Sequence, residues 1–547
     1  MKEANKNKDA NLRKSLSPIA TRASRIVDRI RAREHHQVWA NHHDGGPVHR
    51  SDEILYPGVM FHMAKNRMET TDLWKIVHRM PKGSLLHAHL DAMFDVDFLI
   101  DQAFSTRGMC MWAPRPLRER GDLDHAPFFF RFADPEGRAS PGRATGTETE
   151  DTIWSPGYTG GSLVDLHAAA ASFPNGGTSG FKQWLRTRCV LMPEHSFYHY
   201  HGVDAIWDIF ARTFPVVNSL LQYEPILRAC LRRLLRQLAA DGIRYVEFRT
   251  ALVFEYRREG HDAPEEDDVE WFRLIQHEIE RFQATDDGKR FHGARIIWTT
   301  LRGLSNRDIT DSMKRCIATK KLFPQLIAGF DLVGQEDKGR PLVDLVPVLF
   351  WFRKRCVEEA VELPFFFHAG ECLGDGTRTD HNLFDAILLG TRRIGHGFSL
   401  YKHPLLIDLV KDKRILVECC PISNELLRLT ATIQTHPLPA LLARAVPVSL
   451  CNDDPAILGH GRNGLTPDFW QAVQGLEALG LAGLAALVEN SIRWSCYEDQ
   501  SAREWGNGVR EGMLGDGVKA QRLQEWYRDF EQFCEWILLE FAHEDVD

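Results

Sequence analysis

Hydrophobic and polar positions along the 547 residues of the chain alternate between two kinds of segment. Short runs of apolar, β-branched or aromatic residues end in polar or glycine residues, a pattern typical of strands buried on both faces. Eight candidate strands occur: SLLHAHL (84–90), GIRYVEFRT (242–250), ARIIWTT (294–300), IAGFDLV (327–333), LPFFFHAG (363–370), RIGHG (393–397), ILVECC (415–420) and VPVSLCND (446–453). From the second candidate onward, helix-like segments separate them. Eight parallel strands alternating with helices predict an α/β fold, the TIM (β/α)8 barrel.

The gap between the first two candidate strands is too long for one crossover helix and predicts an insertion. Residues 107–180 are rich in Pro, Gly, Arg, Ser and Thr, which predicts an irregular segment with mobile parts. Two stretches after it, 204–221 and 225–240, are predicted to be helices. We divide the chain into a basic helical N-terminal extension (1–70), a barrel (71–510) with an insertion at about 101–200, and a C-terminal helix (511–547).

An amphipathic helix is predicted in the N-terminal extension. Ser17 and Pro18 suit an N-cap and a first helical position. Apolar residues then recur at helical spacing, at Ile19, Ala23, Ile26 and Ile30. Residues 1–50 hold eleven Lys and Arg against five Asp and Glu, so a basic segment precedes a more acidic remainder. The helix is predicted either to pack on its own domain or to form the contact of a homodimer.

Composition and charge exclude several classes of protein. With 44% hydrophobic and 26% charged residues, the chain is globular rather than disordered. A mean hydropathy of −0.31 and the lack of an apolar run of about 18 residues argue against a membrane protein. The net charge of −8 argues against a nucleic-acid-binding protein. The sequence begins without an apolar signal segment, contains no Asn-x-Ser/Thr sequon and has 11 scattered Cys, which together predict a cytoplasmic protein.

Polar side chains cluster at the predicted carboxyl ends of the strands, where barrel enzymes hold their active sites. The first candidate strand ends in His87 and His89, which face the same side of an extended chain, so both imidazoles can bind one metal ion. A second pair with the same spacing, His199 and His201, has no apolar strand before it. Taken alone, either pair is weak evidence for a metal site.

Other strand ends add further groups that suit metal chemistry. The fifth candidate strand supplies His368 and Glu371, the sixth His396, and the eighth Asp453 and Asp454. Each residue could by itself cap the next helix, but their convergence on one rim favours a shared site. Three imidazoles and a carboxylate suit Zn²⁺. Water would then enter as a fifth ligand, with its pKa lowered to about 7, and become a nucleophile.

Other metal arrangements are not supported. No HExxH sequence occurs, which argues against the common zinc proteases, and the HxE and PCxxC sequences of cytidine-type deaminases are absent. The fourth candidate strand continues as GFDLVGQED, without a lysine that could bridge two metal ions. The sequence therefore predicts a single metal ion.

Five ordered motifs, MPKGSLLHAHLDA, FHAGE, RIGHG, CPISNELL and DDPAI, resemble those of the adenosine deaminases of the amidohydrolase superfamily. The form of the first motif, the long segment that follows it, the N-terminal extension and the late NSIRWS sequence are similar to the adenosine deaminase growth factor branch. The similarity covers roughly residues 55–500. It implies a barrel of the metal-dependent hydrolase type, one zinc ion per chain and a small-molecule purine nucleoside as the partner.

Carried over position by position, the resemblance implies zinc ligands at His87, His89, His368 and Asp453. Glu371 would give a proton to purine N1, and His396 would orient and stabilise the attacking hydroxide. Asp454 would hydrogen-bond N7, the backbone N–H of Gly334 would meet N3, and Asp91 would hold a ribose hydroxyl.

The implied reaction is zinc-dependent hydrolytic deamination of adenosine and 2′-deoxyadenosine to inosine, 2′-deoxyinosine and ammonia, a step of purine salvage. The carboxylate of Asp91 would repel a 5′-phosphate, although the Arg-rich insertion could supply a compensating base. One alternative is therefore a deaminase of AMP or a modified adenine nucleotide. Another, of a different class, is a catalytically silent binding or signalling protein on the same fold. Growth-factor-branch members are typically secreted and glycosylated, which this sequence, without signal or sequon, does not predict.

Overall fold

The computed structural model describes residues 14–39, 56–134, 151–193, 202–253, 255–461 and 464–545, so His199 and His201 lie outside the described residues. Its strands are β1 (Gly83–His89), β2 (Met109–Trp112), β3 (Phe129–Phe132), β4 (Val164–Asp165), β5 (Ile243–Ala251), β6 (Gly293–Leu301), β7 (Ile327–Val333), β8 (His368–Ala369), β9 (Arg393–His396), β10 (Leu416–Cys419) and β11 (Val448–Leu450).

The α-helices are α1 (Pro18–Glu34), α2 (Phe61–Met68), α3 (Asp72–Arg79), α4 (Val96–Ser105), α5 (Arg120–His125), α6 (Leu166–Ala171), α7 (Gly177–Cys189), α8 (Val203–Leu221), α9 (Glu224–Ala240), α10 (Val269–Gln283), α11 (Asn306–Leu322), α12 (Leu342–Glu358), α13 (Asn382–Leu388), α14 (Pro404–Asp412), α15 (Pro421–Leu426), α16 (Leu438–Ala443), α17 (Thr466–Gly475), α18 (Gly480–Arg493), α19 (Ala502–Glu511) and α20 (Val518–Glu540). In the part of the chain that the structure describes, none of the helices is long and apolar enough to cross a membrane.

Parallel strands form a closed ring. β1, β5, β6 and β7 pair in that order, and β8, β9, β10 and β11 form a second run. Two further parallel bridges join the runs, one between Ala88 and Asp453 and one between Phe330 and Phe365. The predicted eight-stranded barrel is therefore confirmed, and each of its strands lies within one residue of a segment predicted from the sequence.

The junction between β7 and the fifth barrel segment explains why β8 is so short. The N–H of Phe330 donates to the Pro364 carbonyl at 2.9 Å, and the N–H of Phe366 donates back to the Phe330 carbonyl at 3.0 Å. Pro364 has no N–H of its own, so a regular ladder cannot begin there. A Cβ on Gly329 would lie 2.5 Å from the Pro364 carbonyl oxygen, so this close approach requires glycine.

The main hydrophobic core lies between the strands and the helices around them. The rings of Phe330 and Phe365 lie 4.9 and 6.1 Å from the ring of Phe352 on α12. On the neighbouring strand, Trp298 stacks on Phe272 of α10 at 5.7 Å. Successive side chains of a strand point to opposite faces of the sheet. When every second side chain packs outward against the helices, the side chains between them therefore point into the barrel interior.

The insertion between β1 and β5 is more regular than its composition predicts. β2 pairs antiparallel with both β3 and β4 in a small sheet. Beside it, the ring of Phe173 lies 5.0 Å from that of Trp154 and 5.5 Å from that of Trp184. The prediction of an irregular segment over 107–180 is wrong for these described parts, because aromatic residues scattered among Pro and Gly build a local core. The helices predicted at 204–221 and 225–240 match α8 and α9.

Helix α1 packs on its own chain. Ser17 caps it by accepting a hydrogen bond from the N–H of Ala20 at 3.0 Å, and its hydroxyl donates to Glu531 of α20 at 2.7 Å. Ala23, Ile26 and Ile30 are fully buried, and α1 contacts α20 and α18. The apolar face that could have formed a dimer is therefore covered within the chain. A homodimer through the extension stays a prediction and would need another surface of this segment.

Glu34 links the end of α1 to the barrel. Its Oε1 accepts hydrogen bonds from the N–H groups of Asp72 and Leu73, at 2.6 and 3.1 Å, at the start of α3. Burial raises the pKa of Glu34 to about 7, although the two backbone hydrogen bonds act in the opposite direction. Between the ordinary pKa of a glutamate and about pH 7, the folded protein therefore holds this proton more tightly than the unfolded chain does.

We expect Glu34→Gln to gain stability relative to the wild type as the pH rises from about 5 to about 8. An acid whose pKa is raised by folding contributes stability that is complete below its unfolded pKa and is lost as the pH rises through its folded pKa. Glutamine keeps the accepting oxygen and does not ionise. Thermal unfolding of both proteins across this range measures the difference, with Glu535→Gln on an exposed part of α20 as the control. A difference that does not change with pH would contradict this account.

Candidate active site

Four side chains meet at the carboxyl ends of the barrel strands. His87 and His89 come from the end of β1, His368 from β8, and Asp453 from the segment after β11. One donor atom from each lies within 4.8 Å of the others. Asp453 Oδ1 is 3.2 Å from His87 Nε2 and 3.3 Å from His89 Nε2. The structure thus brings together the four residues that the sequence resemblance implies as metal ligands.

The chemistry of these atoms fits a metal ion. His87 Nε2 and Asp453 Oδ1 are both buried and have no hydrogen-bond partner. His87 Nδ1 lies 2.8 Å from the Glu418 carboxylate and carries the ring proton, so Nε2 presents a lone pair. Two lone pairs facing each other without a proton between them are unfavourable unless a cation lies there. Imidazole nitrogens and a carboxylate are a donor set for a divalent transition metal.

A second donor set shares His87 and Asp453 but replaces the other two ligands with His396 and Cys420. Burial raises the pKa of the Cys420 thiol well above its usual range, so sulfur keeps its proton. The thiol also donates to the backbone carbonyl of Glu418 at 3.8 Å. The set with three imidazoles and one carboxylate is therefore the better metal site.

Carboxylates inside the barrel orient the histidines. His368 Nδ1 lies 2.7 Å from Asp331 Oδ2, as His87 Nδ1 lies close to Glu418. Arg249 donates to both carboxylates, at 2.8 Å to Asp331 and 2.7 Å to Glu418. Burial lowers the pKa of His368 to about 3, so its ring is neutral and can present Nε2 as a ligand.

The tautomer of His396 is set by a chain of hydrogen bonds. The N–H of Leu438 donates to His436 Nδ1 at 3.0 Å, so the proton of His436 is on Nε2, 3.1 Å from Asn424 Oδ1. The amide nitrogen of Asn424 therefore donates to His396 Nδ1, at 3.1 Å. Burial lowers the pKa of His396 well below its usual range, so the neutral ring carries its one proton on Nε2. That N–H points at Glu371 Oε1, 3.5 Å away, and at Asp453 Oδ2, 3.6 Å away.

Two of these residues have strained backbones. His396 has φ 62° and Asp453 has φ 59°, in the left-handed region that non-glycine residues rarely occupy. Such conformations cost on the order of 1–3 kcal/mol each and persist where the surroundings impose them. Here the strain accompanies the turn that aims each side chain into the barrel mouth.

The pKa values of three buried carboxyl groups at the mouth are shifted in different directions. Burial raises the pKa of Glu371 well above its usual range, and the charges of Asp453 and Glu336 add to this effect. Burial and the charge of Asp453 likewise raise the pKa of Asp454. For Asp453, burial acts in the same direction, but the neighbouring imidazoles of His396, His87 and His89 lower its pKa well below the usual range. The surroundings thus favour the protonated form of Glu371 and Asp454 and the ionised form of Asp453.

A cavity of about 500 Å³ opens above these groups. Its lining includes His89, His368, Glu371, His396, Asp453 and Asp454, as well as Asp91 and Gly334. Gly334 has φ 103°, and a Cβ built on it would meet no atom within 4 Å, so its backbone borders open space. Helix α8 of the insertion covers the other side with Trp207, Phe210 and Phe214. An aromatic wall opposite a polar floor suits a flat heterocyclic ligand.

The comparisons with known proteins agree with this geometry. The model of the family described as adenosine deaminase matches residues 196–511, more than half of the chain. The chain belongs to the adenosine deaminase family. It is 34% identical over 451 residues to adenosine deaminase 2 of Sus scrofa, which covers 82% of this chain and 81% of that protein. The identity to adenosine deaminase 2 of Homo sapiens is 31% over 447 residues, or 81% of this chain and 79% of the other.

Two further matches broaden this result. An adenosine deaminase of Lutzomyia longipalpis is 32% identical over 472 residues, covering 86% of this chain and 81% of that one. An amidohydrolase from Burkholderia ambifaria, solved with bound Zn, superposes with a TM-score of 0.50 at 17% identity and covers 88% of this chain and 98% of its own. That similarity shows the barrel fold. The resemblance to adenosine deaminases, including the branch that contains adenosine deaminase 2, is confirmed, and this chain is a hydrolase of that family.

Several residues of this adenosine deaminase family member were not singled out from the sequence. Asp331 and Glu418 lie in the apolar runs IAGFDLV and ILVECC. A single charged residue in an otherwise apolar strand is the one feature of the sequence that could have indicated their role. Ser423 and Asn424 lie in the CPISNELL motif, next to each other, and contact Asp453 and His396 respectively. The aromatic residues of α8 that line the cavity could not be recognised as functional from the sequence, because aromatic residues on an amphipathic helix more often belong to the hydrophobic core.

We expect Ser423→Ala to weaken metal binding by this family member about tenfold or more. The hydroxyl of Ser423 donates to Asp453 Oδ2 at 2.7 Å and leaves Oδ1 facing His87 and His89. Without it, the carboxylate can rotate away from the other donors. Competition between the metal-free protein and a chromophoric chelator measures the affinity. The control is Ser399→Ala, another buried serine of the barrel rim, whose hydroxyl donates to Asp380 instead. Equal affinities in all three proteins would contradict the role of Ser423.

Proposed function

We propose that this protein is a zinc-dependent hydrolytic deaminase that converts adenosine and 2′-deoxyadenosine to inosine, 2′-deoxyinosine and ammonia. The observation that carries the proposal is a buried carboxyl, Glu371, held beside a donor set for one metal ion at the floor of a cavity with an aromatic wall, where burial raises its pKa. A purine ring loses conjugation when it is attacked at C6, so the reaction needs a nucleophile at C6 and an acid that protonates N1. The site offers both within one cavity.

His87, His89, His368 and Asp453 would hold the zinc ion. Bound there, zinc would supply Lewis-acid activation of water, which makes a nucleophile available near neutral pH. The N–H at Nε2 of His396 points toward the same space and would orient and stabilise the incoming oxygen as a hydrogen-bond donor. Because its pKa is low and Asn424 fixes its tautomer, His396 acts through this proton rather than as a cation.

Glu371 would give its proton to purine N1 as water adds to C6. One proton of the added water replaces the proton that Glu371 gives up. The proton of the new C6 hydroxyl then passes to the exocyclic amine, the C6–N bond breaks, ammonia leaves, and the carbonyl of inosine remains at C6. Asp454, whose pKa is also raised by burial, would donate a hydrogen bond to N7, which carries a lone pair. The backbone N–H of Gly334 would meet N3, and Asp91 would hold a ribose hydroxyl. The raised pKa values thus suit the acceptors that an adenine base presents.

The charges of the cavity favour a nucleoside over a nucleotide. Its described lining contains Asp91, Asp208, Glu371, Asp453 and Asp454 but no Lys or Arg. A 5′-phosphate would bring about two negative charges into this space without a partner. The arginines that the structure describes in residues 107–180 are not among the lining residues. These observations support adenosine over AMP or a modified adenine nucleotide as the substrate.

We expect Glu371→Gln to lose several orders of magnitude in kcat for adenosine, because the amide cannot supply the proton to N1. The zinc content should stay near that of the wild type, since Glu371 is not in the donor set. The fall in ultraviolet absorbance on ammonia loss measures turnover, and metal analysis measures zinc. Glu362→Gln, at a half-exposed surface position, is the matched control. Retained turnover in Glu371→Gln would overturn the role assigned to this residue.

A substrate panel tests the nucleoside preference. Adenosine and 2′-deoxyadenosine should both be deaminated, whereas AMP should have a kcat/KM at least about 100-fold lower, because the described lining holds acidic residues and no Lys or Arg to pair with its phosphate. Free adenine should also be poor, since it lacks the ribose hydroxyl that Asp91 would bind. Comparable values of kcat/KM for AMP and adenosine would contradict the nucleoside assignment and favour the nucleotide alternative.

A further inference from the structure

Asn218 lies on α8, the helix that the insertion places over the barrel mouth. Its side chain lines the same cavity as Asp91 and the metal-site residues, and it is only 8% exposed. No motif of the sequence pointed to it. Its contact with Asp91, however, places it at the end of the cavity assigned to the sugar.

The orientation of the Asn218 amide is fixed by chemistry. Nδ2 donates to Asp91 Oδ2 at 2.9 Å. The reverse orientation would put the amide oxygen against a carboxylate oxygen, two acceptors without a proton between them. Oδ1 must therefore point away from Asp91. It is buried and has no hydrogen-bond partner in the described structure.

A buried amide oxygen without a donor is unfavourable, and such atoms in binding cavities commonly await a ligand group. Helix α8 presents a second acceptor nearby. Pro215 has no N–H that could donate to the carbonyl of Ala211, and both residues line the cavity. Asp91 and Asn218 are hydrogen-bonded neighbours in the cavity lining, so each contributes an oxygen acceptor to this end of the cavity. Two hydroxyl groups on neighbouring carbons would match them.

We propose that Asn218 is a specificity residue that recognises the 2′,3′-diol of ribose. Its Oδ1 accepts a hydrogen bond from one hydroxyl of the diol, while Asp91 accepts one from the other. This inference rests on the proposed deaminase function and deepens it, because it ranks substrates within the nucleoside class. A ribonucleoside satisfies both acceptors, whereas a deoxynucleoside leaves one of them unpaired in a buried site.

The consequence is a preference among the sugars. Sites built to hydrogen-bond a hydroxyl reject analogues that lack it, because the buried partner stays unsatisfied. For the wild type, we expect kcat/KM to fall about 10- to 100-fold when the hydroxyl that meets Asn218 is removed from the substrate. Removal of the 5′-hydroxyl should have a smaller effect that does not depend on Asn218.

The experiment combines substrate and protein changes. kcat/KM is measured for adenosine and its 2′-, 3′- and 5′-deoxy analogues with the wild type, Asn218→Ala and Asn218→Ser. Serine has a hydroxyl that can still donate to Asp91 but lacks the amide oxygen, so it tests the proposal if alanine destabilises the fold. Asn507→Ala, which removes an amide from α19, is the control for non-specific effects. Thermal unfolding of each variant confirms that it is folded.

In the wild type and in Asn507→Ala, the 2′-deoxy and the 3′-deoxy analogue should both show a penalty, because each diol hydroxyl meets one acceptor. In both Asn218 variants, the penalty for the hydroxyl that meets Asn218 should collapse to about threefold or less, while the penalty for the other diol hydroxyl, the partner of Asp91, persists. If the Asn218 variants lower kcat/KM equally for all four substrates, Asn218 only positions Asp91, and the specificity proposal is wrong. If the wild type deaminates none of the four, the proposed function fails, and this inference fails with it.

Discussion

The active site depends on a network of charges buried inside the barrel. Arg249 and Arg393 are fully buried, and so are the carboxylates that they bind, Glu247, Asp331 and Glu418. Burial alone raises the pKa of Glu418, but Arg249 and Arg393 hold it well below its usual range. Removing one member of such a network leaves an unpaired charge out of water, at a cost of about 3–5 kcal/mol. Side chains that interlock in this way have little freedom to change position.

The network connects the bottom of the barrel to its mouth. Arg393 donates to the backbone carbonyl of Trp494 at 3.0 Å, and the N–H of Cys496 donates to Glu247 at 2.6 Å, so the segment after α18 is tied to the interior. At the other end, Glu418 and Asp331 fix the rings of His87 and His368. Orientation of the metal donors is therefore a property of the whole barrel. The charge of Asp453, one of the candidate metal ligands, also raises the pKa of Glu371 and Asp454, which couples the candidate metal site to these two carboxyl groups.

Much of this arrangement could be predicted from the sequence because the barrel places its chemistry at strand ends. Apolar runs end in His87 and His89, in His368 and in His396, and closure of the ring brings these residues together. The family motifs then implied their roles, which stay predictions for the individual residues. Of the two residues proposed to bind the sugar, only Asp91 could be predicted, because its hydrogen-bond partner Asn218 lies on a helix whose position over the mouth depends on the insertion.

What could not be predicted depends on contacts distant in sequence. The insertion was expected to be irregular, but scattered aromatic residues such as Trp154 and Trp184 pack together only once its helices and small sheet are in place. The tautomer of His396 depends on Asn424 and His436, which no spacing rule connects to it. The cytoplasmic location stays a prediction from the sequence.

The most direct test of the central claim, a hydrolytic deaminase with one metal site per chain, is to return zinc to the metal-free protein in known amounts. Ammonia release from adenosine is measured at each ratio of zinc to protein. The account predicts negligible activity without metal and a linear rise that reaches its plateau at about one zinc ion per chain. Full activity in the metal-free protein, or no ammonia release from the zinc-loaded protein, would contradict it.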